Sequence, residues 1–168
     1  MPFVYNVNSK AVAENYTTSG SANTEINSAF MKPGTTRFLN VIGLRVQGKG
    51  AGLTAISGLI FRLKQWITTA SSGGTAITPG PVNNIGPAAT HTAAAGAAGG
   101  TNAVTSGTGG PTIVGGCGCG AGGPGGWVAA NPDAAIGLDG NANKSIDLFS
   151  ASGTVSLNYD FLFDTQEG

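Results

Sequence analysis

From Gln65 to Pro132 the chain carries no Asp, Glu, Lys or Arg, and glycine and proline recur throughout that passage. A helix of a dozen residues needs apolar spacing of three and four with no interior glycine or proline. Neither this passage nor its flanks offers that pattern. SKAVAENYT, with Ser9 as a cap, could make one helical turn, and SANTEINSAFM is a second short helix candidate. Glycine is 29 of 168 residues, far above the usual share of about 7%. There is no strict G-X-Y period, which excludes a collagen helix. Aromatic and aliphatic residues are too frequent for a wholly disordered chain.

Strand patterns are much clearer. FVYNV (Phe3–Val7) alternates and suits an edge, and TRFLNVIGLRVQ (Thr36–Gln47) reads as a long strand with Gly43 at a bulge. In SGLIFRLKQWITT, Leu59, Phe61, Leu63 and Ile67 share one face, opposite Arg62, Lys64, Trp66 and Thr68. Near the C-terminus, Val155, Leu157, Tyr159, Phe161 and Phe163 alternate with polar residues, the cleanest half-buried strand in the chain. KSIDLFS precedes it, and SASG between the two reads as a hairpin connection. AATHTAA, TIVGG and GWVAA are weaker strands, and GLDGNANKS is a loop.

Many strands joined by Gly, Pro and Asn loops predict an all-β fold, a β-sandwich or jelly roll with long Gly/Pro-rich loops. The length suits one domain. We divide it into residues 1–35, an N-terminal arm or edge segment, and residues 36–168, a β-sandwich domain. A Gly-rich loop is expected over residues 93–126.

Charge is scarce but unevenly placed. Residues 1–84 hold seven Lys or Arg and two acids, a balance of +5, and residues 85–168 balance at −5. Opposite halves suit attraction within one fold, between subunits, or to a larger surface. A nucleic-acid binder would show a dense basic patch instead. No apolar run reaches the length of about 20 residues that spans a membrane, and the first residues lack the blocks of a signal peptide.

Chemistry-bearing residues are few. His91, in ATHTA, has no carboxylate near it in sequence and reads as a solvent-facing strand residue rather than a general base. Cys117 and Cys119 would supply half a zinc site with the other half missing, and read as reduced cysteines in a glycine loop. GKGAGL places Lys49 before its glycines, which does not fit a phosphate cradle. Asp133, Asp139 and Asp147 lack the spacing of a calcium loop, and nothing singles out a hydrolytic pair among them. No residue is therefore assigned as catalytic, cofactor-binding or metal-ligating.

The stretch LIFRLKQWITTASSGGTAITPGPVNNIGPAATHTAAAG resembles a passage of tailed-bacteriophage head decoration or cement proteins. It runs from an apolar-plus-basic strand through GGTAITP and a proline-bounded loop to the small-residue strand PAATHTA. The resemblance implies a non-enzymatic β-sandwich subunit made in the host cytoplasm. It would sit on the virion between capsomers, bound to the major capsid protein and to itself as a dimer or trimer. It implies no cofactor, no nucleic-acid partner and no membrane partner. Expected contact residues are Phe3, Tyr5, Arg37, Arg45, Arg62, Lys64, Trp66, Ile77, Pro79 and Pro81. The alternative reading is a tail-fibre or spike module binding host glycans, with Trp66 or Trp127 stacked on a sugar.

Overall fold

The computed structural model describes residues 2–9, 16–17, 25–49, 59–83, 86–96, 103–110, 112–119, 124–131, 134–152 and 158–168. Regular structure in these residues is almost entirely β. In chain order the strands are Phe3–Asn8 (β1), Tyr16–Thr17 (β2), Ile26–Lys32 (β3), Leu39–Lys49 (β4), Leu59–Trp66 (β5), Ser72–Gly73 (β6), Thr75–Ile77 (β7) and Gly80–Pro81 (β8). They continue as Thr92–Ala95 (β9), Val104–Thr105 (β10), Thr112–Cys119 (β11), Gly125–Val128 (β12), Ile136–Leu138 (β13), Ser145–Ser152 (β14) and Asn158–Glu167 (β15).

Two large antiparallel sheets form, with a third, two-stranded sheet made by β6 and β10. Sheet I runs β12-β4-β15-β1-β8, with β13 continuing the line of β12 along β4 and β2 paired to β15. Sheet II runs β11-β5-β14-β3-β9-β7. Four principal pairings, β1 with β15, β3 with β14, β4 with β12 and β13, and β5 with β11, nest like one long folded-back hairpin. Successive pairs go alternately to the two sheets. That winding is a jelly roll.

The sheets bury their alternating faces against each other. Leu39, Val41, Leu44, Val46, Phe161 and Phe163 from sheet I meet Met31, Phe61, Leu63, Ile77, Ile146 and Leu148 from sheet II. The Phe61 and Tyr159 rings meet edge-to-face across the gap with centroids 4.9 Å apart. The alternation read in the last strand holds: Tyr159, Phe161 and Phe163 are all buried. Val155 and Leu157 lie outside the described residues.

Three irregularities set the register. Asp164 pairs with Gly43 and Thr165 with Val41, which leaves Ile42 as the extra residue beside the expected bulge at Gly43. A second bulge puts Ser28 out of step opposite Leu148 and Phe149, and a third does the same for Val114 opposite Lys64 and Leu63.

Several sequence expectations are corrected. Within residues 1–35, β1 and β3 are built into the sheets: β1 lies between β15 and β8, and β3 lies between β14 and β9. SANTEINSAFM supplies β3 instead of a helix; both faces of that strand are covered, so its burial has no helical period. SKAVAENYT falls mostly outside the described residues, although the Ser9 hydroxyl accepts the Phe161 N–H at 3.0 Å. SASG does not close a hairpin, because β14 and β15 belong to different sheets. Ile67 lies past the end of β5 and is exposed.

The supposed loop 93–126 contains β10, β11 and the start of β12, and its first residues belong to β9. The glycines there permit close backbone approach. A Cβ on Gly116 would lie 2.5 Å from the Phe61 carbonyl oxygen, and one on Gly125 would lie 2.2 Å from that of Gly118. The edge strands β11 and β12 are thus pinched together where a side chain would hold them apart.

Candidate functional site

Three of the exposed large apolar side chains, Phe3, Phe38 and Val82, gather around two adjoining grooves at one end of the sandwich, and Ile60, Ile67, Ile113 and Val128 are exposed as well. Pro2, Phe3, Pro81, Val82 and Gly86 line one groove. Pro2 and Phe3 continue into a second, shared with Arg37, Phe38 and Gly168. Gly168 lies against the Phe38 ring so closely that a Cβ on it would fall 2.4 Å from the ring. The surface is made by the start of β1, the Thr36–Phe38 connection, β8 and the end of β15.

The ten expected contact residues divide unevenly. Phe3 and Pro81 are exposed at this end, and Pro79 is half-buried. Tyr5 and Ile77 are corrected: both are buried, so neither offers a contact surface. Tyr5 points inward because its partners are inside. Its hydroxyl donates to the Pro87 carbonyl at 3.2 Å, and its ring meets that of His91 edge-on. Ile77 belongs to the core cluster.

The four cations expected to face an acidic partner all have acids in their own chain. Arg45 binds both Asp164 oxygens at 2.9 Å. Arg62 and Lys64 both bind Glu25, and Lys64 also sits 4.1 Å over the Phe149 ring. Arg37 stands 3.7 Å from Glu167. Two of these pairs join the basic half of the sequence to the acidic half. Burial tends to raise the Glu25 carboxyl, but hydrogen bonds from Lys64 and Arg62 hold it below its ordinary value.

His91 is the other correction. It is buried, not solvent-facing. Its Nδ1 lies 2.7 Å from Glu167 Oε1, and its Nε2 lies 3.3 Å from the Thr165 hydroxyl. Glu167 also accepts the N–H groups of Thr90 and His91 and the Thr90 hydroxyl. Burial lowers the His91 pKa against the pull of Glu167. Burial raises that of Glu167, but the Thr90 and His91 donors outweigh it and hold the carboxyl low. The cluster has the residue types of a nucleophile–base–acid relay, but Thr165, His91 and Glu167 are all buried, so no substrate reaches them. Its work is to fasten the Pro87–His91 segment to β15.

A second buried carboxylate fastens the opposite side. Asp147 faces away from the core, between Ile146 and Leu148, and is fully buried. It accepts from Ser71, Ser145, Asn27 and Trp66, the last at 3.0 Å. Ser71 in turn accepts the Gly107 N–H at 2.8 Å, and Asn27 donates to Ser106 at 3.1 Å. The small β6–β10 sheet is thereby tied over the outer face of sheet II. Burial raises the Asp147 pKa against these four donors. Trp66 is thus engaged within the chain, and Trp127 packs against the core.

Cys119 is buried and Cys117 half-buried, both on strand β11 and unbridged. Burial raises both thiols, Cys117 to about 11, so both stay protonated at neutral pH. Asp139 pairs with Lys144 at 2.9 Å on the surface, and Asp133 lies outside the described residues. Among the described residues, no three His, Cys, Asp or Glu side chains gather as a metal site.

Sequence reading missed Glu167 and Asp147. Glu167 carried a signal: it is in phase with Tyr159, Phe161 and Phe163, so the alternation itself puts a carboxylate on the inner face. No family model matches the chain, and neither a curated protein nor a solved structure matches it.

Proposed function

We propose that this chain is a non-enzymatic virion subunit of the bacteriophage decoration type. It binds the outside of an icosahedral head between capsomers and holds the shell together. The observation that carries this reading is the pairing of its charges inside the chain while Phe3, Phe38 and Val82 stay exposed at one end. Contiguous exposed apolar surface marks contact sites, and contact cores are depleted of charge. Each copy would bury that end against the major capsid protein, or between its own copies as a dimer or trimer. A protein that binds only the intact shell stabilises it by mass action, and repetition around a closed lattice multiplies a weak contact. Both tryptophans named for glycan stacking are engaged within the chain, which favours docking over sugar binding.

The test is to purify heads, remove their DNA, and ask whether the protein stays in fixed stoichiometry. Heads stripped of it should disassemble at lower temperature and recover when it is added back. Phe38→Ser with Val82→Ser should weaken rebinding while leaving the subunit folded. Absence from DNA-free heads, or unchanged head stability without it, would overturn the reading.

A further inference from the structure

We infer that His91, Glu167 and Arg37 form an acid-releasable clasp, which lets go of the segment from Gly86 to His91 as the pH falls. This inference does not depend on what the exposed end binds.

The segment connects β8 to β9 and joins neither as a strand. Its fastening converges on a few groups. Glu167 accepts the Thr90 N–H at 2.9 Å, the Thr90 hydroxyl at 3.0 Å, the His91 N–H, and the ring Nδ1–H at 2.7 Å. Tyr5 donates to the Pro87 carbonyl at 3.2 Å. One carboxylate thus carries most of the polar attachment of this segment to β15, and the imidazole is its inner half.

Among the described residues, the charged and titratable groups in contact with the ring are Glu167 from β15 and Tyr5 from β1, and Arg37, from the connection into β4, stands 3.7 Å from Glu167. Thr165 and Thr90 add neutral hydroxyls. With a neutral ring, the cluster holds one carboxylate and one guanidinium, and its charge is balanced. A proton on His91 leaves a net positive charge around a ring that is shut off from water. Opening the segment brings the ring into water, where it takes up a proton near its ordinary pKa of about 6.5. Opening is therefore coupled to uptake of one proton below that value, up to about a tenfold increase in the opening constant per pH unit. The lowered His91 pKa has the sign this coupling requires. Glu167 adds a second proton only at lower pH, because its donors hold it ionised.

The clasp lies beneath the exposed end. Gly86 lines the groove that Phe3 and Val82 share, and Gly168, the residue after Glu167, rests on Phe38. Release of the segment therefore moves one wall of that surface.

The experiment is amide hydrogen exchange on the full chain between pH 7 and pH 5, corrected for intrinsic rates, with the His91 ring titrated by NMR. The Thr90 and His91 amides should show an opening constant that climbs up to about tenfold per unit below pH 6.5. The Phe61 and Leu148 amides should show no such slope. His91→Gln should flatten the slope at Thr90. A flat wild-type profile, or an unchanged slope in His91→Gln, overturns the clasp. If His91→Gln fails to fold, the wild-type ring decides. A ring titrating well below 6.5 supports release by acid. A ring titrating at or above 6.5 means that acid does not loosen the contact, and the inference falls.

Discussion

Asp147 and Glu167 are both buried carboxylates, and each ties a different part of the Trp66–Ala95 excursion to the sandwich, yet they are held in opposite ways. Around Asp147 stand two serine hydroxyls, an amide and an indole N–H, and among the described residues no cation forms an ion pair with it. Around Glu167 stand two backbone N–H groups, an imidazole and, at 3.7 Å, a guanidinium. Burial prevails at the first and raises its pKa; the donors prevail at the second and lower it. Number of hydrogen bonds does not decide the outcome. At Glu167 the backbone N–H groups of Thr90 and His91 and the His91 ring carry the lowering, and such fixed backbone dipoles do more for a charge than rotatable neutral groups.

The contrast breaks most sharply at Glu167. Glu167→Ala leaves the neutral His91 ring and two backbone donors without their acceptor, and should cost about 3–5 kcal/mol of unfolding free energy, since each buried donor left unsatisfied costs about 1–3 kcal/mol. Denaturant titration at pH 7 measures it. Gly107→Ala tests the scaffold of the other hub, because the new Cβ would lie 2.1 Å from the Thr69 carbonyl oxygen. The loss expected there is about 1–3 kcal/mol, as for other overpacked sites.

Asp147→Asn should change stability at pH 7 by no more than about 1 kcal/mol, since the neutral amide escapes the cost of a buried charge while giving up charged hydrogen bonds. The pH dependence separates the hubs by sign. Asp147 keeps its proton more tightly folded than unfolded, so its contribution improves as pH falls through its raised value towards the unfolded one. His91 and Glu167 have lowered values, so their contributions are full above about 6.5 and about 4.3 and shrink as pH falls through the folded ones. Against wild type, Asp147→Asn should therefore do progressively worse in acid, and His91→Gln progressively better. Matching pH profiles for the two variants would erase the distinction. Smallest of all, Arg45→Ala should cost under about 1 kcal/mol despite its two-pronged contact with Asp164, because the arginine side chain is 59% exposed.

The sequence announced those parts of the fold in which one face is apolar and the other polar. β4, β5 and β15 alternate plainly, and Gly43 marks the bulge of β4. β3 escaped because the extra Ser28 breaks its phase and both of its faces are covered. β11 was read only as the weaker strand TIVGG because glycine in a strand is read as weakness, whereas here it answers the near contact of two backbones. His91 looked bare because its neighbours in sequence are small; its carboxylate lies 76 positions away. Of the contact candidates, Phe3 and Pro81 are exposed, whereas Arg37, Arg45, Arg62 and Lys64 each meet an acid of the same chain, since sequence gives no hint of which acid will claim a given cation.

The winding also decides when the body can close during synthesis. β15 is the link between β4 and β1, and β14 is the link between β5 and β3. Without these two strands, sheet II falls into β11-β5 and β3-β9-β7, and sheet I into β4 with β12 and β13, β1 with β8, and β2 left without its partner strand. A nascent chain made only as far as Lys144 therefore has separate ribbons and an unsealed interior, whatever length has already left the ribosome.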